Sequence, residues 1–172
     1  MKIYSSVIFL VFLLFQFLIP CLAVGEEENC VLDKETAINA LLNPKDPNIK
    51  EVFPPKKYLD GRRLTESLLM KDGTKIIYDV GGCAHYSYSF TYENIKDISA
   101  MDNKNILKLA LSLLRKTPSL KEINVLPYTL EQAQTKEIKL TNNTLDLPCG
   151  DAVCSVEIKG PHSLTISYDF PL

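Results

Sequence analysis

The sequence predicts an α+β fold: a two-layer sandwich with an antiparallel sheet of about five strands and helices packed on one face. Three observations predict it. Residues 83–92 alternate strictly, with Ala84, Tyr86, Tyr88, Phe90 and Tyr92 on one side and Cys83, His85, Ser87, Ser89 and Thr91 on the other. That is the period of a strand with one wet face. Residues 154–159 and 164–170 repeat the alternation on either side of Gly160-Pro161-His162. Residues 103–116 form the one long helical pattern, and Ile106, Leu107, Leu109, Ala110, Leu111, Leu113 and Leu114 give it an apolar surface broader than one stripe. Such a helix needs a sheet face to bury its leucines.

The chain of 172 residues opens on a segment unlike the rest. Lys2 is its only charge, residues 7–19 are apolar except for Gln16, and four of the seven phenylalanines lie within it. Small residues then allow cleavage before Glu26 (Ala23 and Gly25) or before Val24 (Cys21 and Ala23). This is the layout of a secretory signal peptide. The expected organisation is a signal peptide over 1–25 and a single exported domain over 26–172, in a periplasm or the extracellular space, with no membrane span after the leader is removed. Leu18-Ile19-Pro20-Cys21 sits where a lipoprotein signal places its lipidated cysteine, but Pro20 stands where such signals want a small residue. Cys21 is therefore read as discarded with the leader.

Removing Lys2 takes the basic residues from 19 to 18 against 21 acidic ones, and the formal charge from −2 to −3. A nucleic-acid binder needs a basic face, so none is expected. The length that remains fits one domain with a real core.

Four cysteines remain as well: Cys30, Cys83, Cys149 and Cys154. An even count in an exported chain reads first as a disulfide framework with three pairings available. The short loop around Gly150 favours Cys149 with Cys154, leaving Cys30 with Cys83. A loop of that second size contributes about 4 kcal/mol in the chain-entropy model. Two sharper readings compete. Cys83, His85, Cys149 and Cys154 form a Cys3His set, but with no known zinc spacing. Cys83 with His85 makes a thiol and a base only if Cys83 is unpaired. The disulfide reading is preferred, and no metal or cofactor is expected.

Taken in order, Asp33-Lys34-Glu35-Thr36 offers a cap for a short helix ending before Pro44. Residues 43–61 carry Pro44, Pro47, Pro54 and Pro55 and read as an extended, irregular connection. Residues 64–70 and 75–80 flank Lys71-Asp72-Gly73-Thr74, a strong hairpin signal because Gly accepts positive φ. Pro118 stops the 103–116 helix. Thr129-Leu130-Glu131-Gln132 resembles a capping box and suggests a short second helix. Residues 137–140 read as a strand before a polar Thr141-Asn142-Asn143-Thr144 turn, where Asn142-Asn143-Thr144 matches the N-glycosylation acceptor pattern.

The aromatic side of residues 83–92 is expected inside, because its other side is Ser, Thr and His. The candidate binding face is that polar side: His85, Ser87, Ser89 and Thr91, with Glu157, Lys159, Thr165, Ser167 and Asp169, joined by Ser155. Ser and Thr suit a solvated strand on β-propensity alone, so the face acquires a function only if a partner docks on it. No nucleophile elbow, HExxH, P-loop or GxGxxG motif is present. Glu66, Asp79 and Asp169 are the strand-borne carboxylates that a hydrolase would need. The expected function is therefore non-catalytic binding of a protein partner in the cell envelope, as an inhibitor or immunity-like protein. A small hydrolase is the alternative, and a purely structural envelope protein a weaker third.

Overall fold

The computed structural model describes residues 42–57, 63–81, 85–119 and 125–171. They form one antiparallel sheet of eight strands with two short helices: β1 (Ile49–Lys57), β2 (Arg63–Met70), β3 (Lys75–Gly81), β4 (His85–Glu93), α1 (Asn103–Lys116), α2 (Val125–Ala133), β5 (Leu140–Thr141), β6 (Thr144–Leu147), β7 (Val153–Gly160) and β8 (Ser163–Pro171). The strand order is β1-β2-β3-β4-β8-β7-β6-β5. This overturns the expected α+β sandwich of about five strands, because the described residues are mostly sheet. The expected helix before Pro44, apart from Leu42, lies outside them.

The additional strands have physical reasons for hiding. β1 falls in the proline-rich stretch read as irregular. It is an edge strand, paired only with β2, and its register shifts between Ile49 and Glu51 and between Phe53 and Lys56. Pro54 and Pro55 lie within the second irregularity. A proline is tolerated there because an edge strand has a side that needs no ladder donor. At the other edge, Asn142 and Asn143 have φ of 49° and 64°. Both central residues are left-handed, as a two-residue hairpin turn of type I′ requires. The turn thus takes two residues rather than four, Thr141 ends β5 and Thr144 begins β6.

Two four-stranded meanders meet at the β4–β8 pair, where Tyr88 stands opposite Tyr168 and Phe90 opposite Ile166. The chain leaves β4 near the sheet centre and re-enters at the far edge, four strand spacings or about 19 Å away. The helices lie in this connection, and α1 with its 14 residues is itself about 21 Å long. Asp102 caps it, its Oδ1 accepting from Asn105 N at 2.7 Å. Arg115 and Lys116 occupy the last turn, where cations suit the helix dipole. Helix α2 begins at Val125, so buried Thr129 lies inside it and is not its cap, contrary to the capping-box reading. Pro127 falls in its first turn, where the missing N–H costs nothing.

One core holds the sheet and helices together. Leu64, Leu68, Ile76, Tyr78, Val80, Phe90, Tyr92, Leu145, Val156, Leu164 and Ile166 cluster with Ile106, Leu107, Ala110, Leu111 and Leu114 of α1 and Leu126, Leu130 and Ala133 of α2. The aromatic side of β4 is thus interior, with Phe90 and Tyr92 fully buried. Tyr92 Oη lies 2.7 Å from Thr117 Oγ1, and that hydroxyl donates to Leu113 O at 2.9 Å. Burial pushes the Tyr92 phenol well above the ordinary tyrosine range.

Candidate binding face

The residues that alternate with this core emerge on the other side of the sheet, which no described element covers. Cross-strand register turns them into rows. Ser89 stands opposite Ser167 and Ser167 opposite Ser155, so three serines lie side by side on β4, β8 and β7. Asp79 of β3 and Asp146 of β6 continue that row at either end. The next row carries Ile77, Thr91, Thr165, Glu157 and Thr144. On the other side of the serines, Ser87 faces Asp169, and Asp169 faces Val153. His85 occupies the end of β4, opposite Pro171.

The fold therefore gathers the predicted polar residues of three separate sequence segments onto one face. A strand's side-chain period of two gives the face. Only the pairing register gives the rows, and a single sequence does not fix that. Reasoning from sequence missed the partners on β2 and β3. Arg63 grips Asp79 with two hydrogen bonds, Nε to Oδ1 at 2.8 Å and Nη2 to Oδ2 at 2.5 Å, and Thr65 Oγ1 also donates to Asp79 Oδ1 at 3.3 Å. The Asp-Gly turn was the available signal, because it sets the register that puts Thr65 opposite Asp79 and Arg63 opposite Gly81.

Charges on this face are mostly paired with one another. Arg63 pairs with Asp79, Lys75 with Glu93 at 2.8 Å, and Lys159 with Glu157 at 2.6 Å. Pairs this exposed contribute little to stability, about 0–1 kcal/mol each. Thr91 and Thr165 bond hydroxyl to hydroxyl at 2.8 Å across the central strands. Among the described residues, the hydroxyls of Ser87, Ser89, Ser155 and Ser167 and the carboxylate of Asp169 form no side-chain bond. The centre is thus a half-exposed strip of small side chains with free donors and acceptors, between charged rims, with Thr165 buried in the neighbouring row.

The three carboxylates named for hydrolysis do not converge. Glu66 is buried on the helix side, where its Oε2 accepts from Leu42 N at 3.2 Å. Asp79 and Asp169 share the open face, but β4 runs between their strands. Two spacings alone separate them by about 10 Å, they stand in different rows, and Asp79 is engaged by Arg63.

Cys149 and Cys154 form a disulfide with Cα atoms 6.0 Å apart. Gly150 inside the small loop has φ of 68°. Cys154 is buried beside Tyr168, which stacks on Tyr88 with ring centroids 5.1 Å apart. The bridge therefore fixes the β6–β7 connection to the core, with a contribution of about 2 kcal/mol for so short a loop. It also takes two sulfurs from the Cys3His set, and no group of three or more candidate metal ligands occurs among the described residues. Cys30 and Cys83 lie outside those residues.

A hollow of about 700 Å³ opens beside the β2–β3 turn and the end of α1. Its floor is the core itself, Met70, Ile76 and Tyr92, and its rim acids serve turns: Asp46 accepts from Asn48 N and Asp72 from Thr74 N. Elsewhere, Asp97 accepts from the Ser99 hydroxyl at 2.6 Å and the Ser99 N–H at 2.9 Å, which holds its carboxyl below the usual range. His162, in the β7–β8 turn, places Nδ1 3.0 Å from Ile95 O.

By its described residues the molecule is a disulfide-stabilised eight-stranded antiparallel sheet with two helices on one side. None of those helices is long and apolar enough to cross a membrane. Comparison with known proteins returned no matching family model, curated protein or solved structure.

Proposed function

We propose that the chain is an exported, non-catalytic binding protein that docks a protein partner on the open face of its sheet. One observation carries this reading. The row Ser89–Ser167–Ser155 presents unpaired hydroxyls across three adjacent strands on a face that no described element covers. Small side chains let a partner approach the sheet closely, and hydroxyls that both donate and accept suit many partner groups. Asp169 beside this strip asks for a donor or a basic side chain opposite it. The rim pairs Glu157–Lys159 and Arg63–Asp79 would set orientation more than affinity, as exposed charges at an interface do.

The apolar leader and the disulfide support action outside the cytoplasm, in a periplasm or the extracellular space, where an inhibitor or immunity-like role is chemically reasonable. The test is capture from an envelope or culture-medium extract on the immobilised full-length product. A partner is expected on the native chain and absent after joint charge reversal, Glu157→Lys with Lys159→Glu and Asp169→Lys. Recovery of no partner, or of one whose binding survives the reversal, overturns the proposal.

A further inference from the structure

We infer that Asn142, at the apex of the β5–β6 hairpin, is the acceptor of an N-linked glycan. The chain has ten asparagines, and only Asn142 is followed two residues later by Ser or Thr with no intervening proline. The fold gives that single pattern a suitable place. Asn142 and Asn143 are both exposed, and together they form the whole turn between β5 and β6. The Asn142 carboxamide makes no hydrogen bond, whereas Asn43, Asn94 and Asn103 each use theirs in turns and connections. No described residue therefore holds the Asn142 amide nitrogen, and a large polar group there meets solvent.

The backbone at the site is well anchored despite its exposure. Ile158 N donates to Asn143 O at 2.8 Å, and Thr144 stands opposite Glu157. The glycan would thus mark the corner of the polar face next to the Glu157–Lys159 pair. The centre at β4 and β8 begins about 10 Å away, two strand spacings from β6, and stays clear. This inference rests on the export reading and narrows it to a route through a compartment that holds a lipid diphosphate-linked oligosaccharide. In the transfer, Asn142 Nδ2 forms a bond to the anomeric carbon as the bond from that carbon to the diphosphate oxygen breaks. The lipid diphosphate leaves with the electron pair, and the amide proton passes to a base on the transferase.

The experiment expresses the full chain in a secreting eukaryotic cell, once behind its own start and once with a foreign leader placed before Met1. Peptide-N-glycosidase treatment and peptide mass mapping are then applied to membrane-enclosed and secreted material together. One glycan at Asn142 is expected. It should persist in Asn143→Gly, which keeps the acceptor pattern and suits the turn, and in Thr144→Ser. It should vanish in Asn142→Gly, where glycine accepts the left-handed backbone, and in Thr144→Val, which removes only the hydroxyl while favouring the strand. A chain carried into the lumen by either leader but unmodified overturns the site while leaving export intact, and so does a glycan that survives Asn142→Gly. Modification behind the foreign leader alone upholds the site and overturns export by the native start.

Discussion

Phe90 and Tyr92 of β4 are fully buried, while Ser89 and Thr91, each one residue away, stand half-buried on the opposite face. The same division runs through β8, where Leu164 and Ile166 are inside and Ser167 points to the open side. On the helix side, shape and volume are constrained by close packing, and every large residue has apolar neighbours from α1, α2 or adjacent strands. On the open side, most charges answer a charge beside them, and the central serines answer nothing. The first face specifies the fold, and the second leaves hydroxyls and one carboxylate without a side-chain partner among the described residues.

The sharpest way to break this division is to substitute the core. Phe90→Ala removes a fully buried ring from between Tyr78 and Tyr88 and is expected to destabilise the protein by about 3–5 kcal/mol. A denaturant titration should show a lower midpoint with the slope unchanged. Loss of less than about 1 kcal/mol would mean that the helices do not close over β4 as described.

A smaller effect tests the polar contact within that core. Tyr92→Phe removes the hydroxyl on Thr117 but leaves Thr117 its bond to Leu113 O, so the expected cost is about 1 kcal/mol at neutral pH. The pH dependence has a definite sign. The native phenol titrates above its unfolded value of about 10, so its contribution is fully present below pH ~10 and is lost as pH rises above it. Chemical denaturation repeated from pH 8 upward should therefore show the native protein losing stability more steeply above pH 10 than Tyr92→Phe. Parallel curves would contradict the burial of that hydroxyl.

Local chemistry makes some elements of this fold plain in the sequence and hides others. The Asp72-Gly73 hairpin, the alternation in β4, β7 and β8, and the α1 pattern with its cap and Pro118 stop each lie within a few residues of one another, where periodicity speaks clearly. β1 was hidden because prolines usually argue against a strand, and only its position at the sheet edge excuses Pro54 and Pro55. β6 hides because its first residue, Thr144, belongs by residue type to a polar four-residue turn, and the strand expected over 137–140 is instead Leu140–Thr141, with 137–139 outside it. Thr129 looked like a cap because the pattern of residue types fits one, although burial places it inside α2. The polar face was legible as a set, since alternation alone puts Ser87, Ser89 and Thr91 together. Its rows depend on the β4–β8 and β7–β8 pairings between separate segments, whereas the capture of Asp79 by Arg63 follows from the register that the Asp72-Gly73 turn sets.

The most direct measurement places a bulky charge in the serine row and reads folding and docking on the same sample. For Ser167→Arg, the expected unfolding free energy lies within about 0.5 kcal/mol of that of the native chain, as for surface positions generally, and any partner captured by the native chain is expected to be lost. Retention of a captured partner by a folded Ser167→Arg protein, or collapse of the fold itself, would contradict the proposal that the serine row is a docking strip with little part in stability.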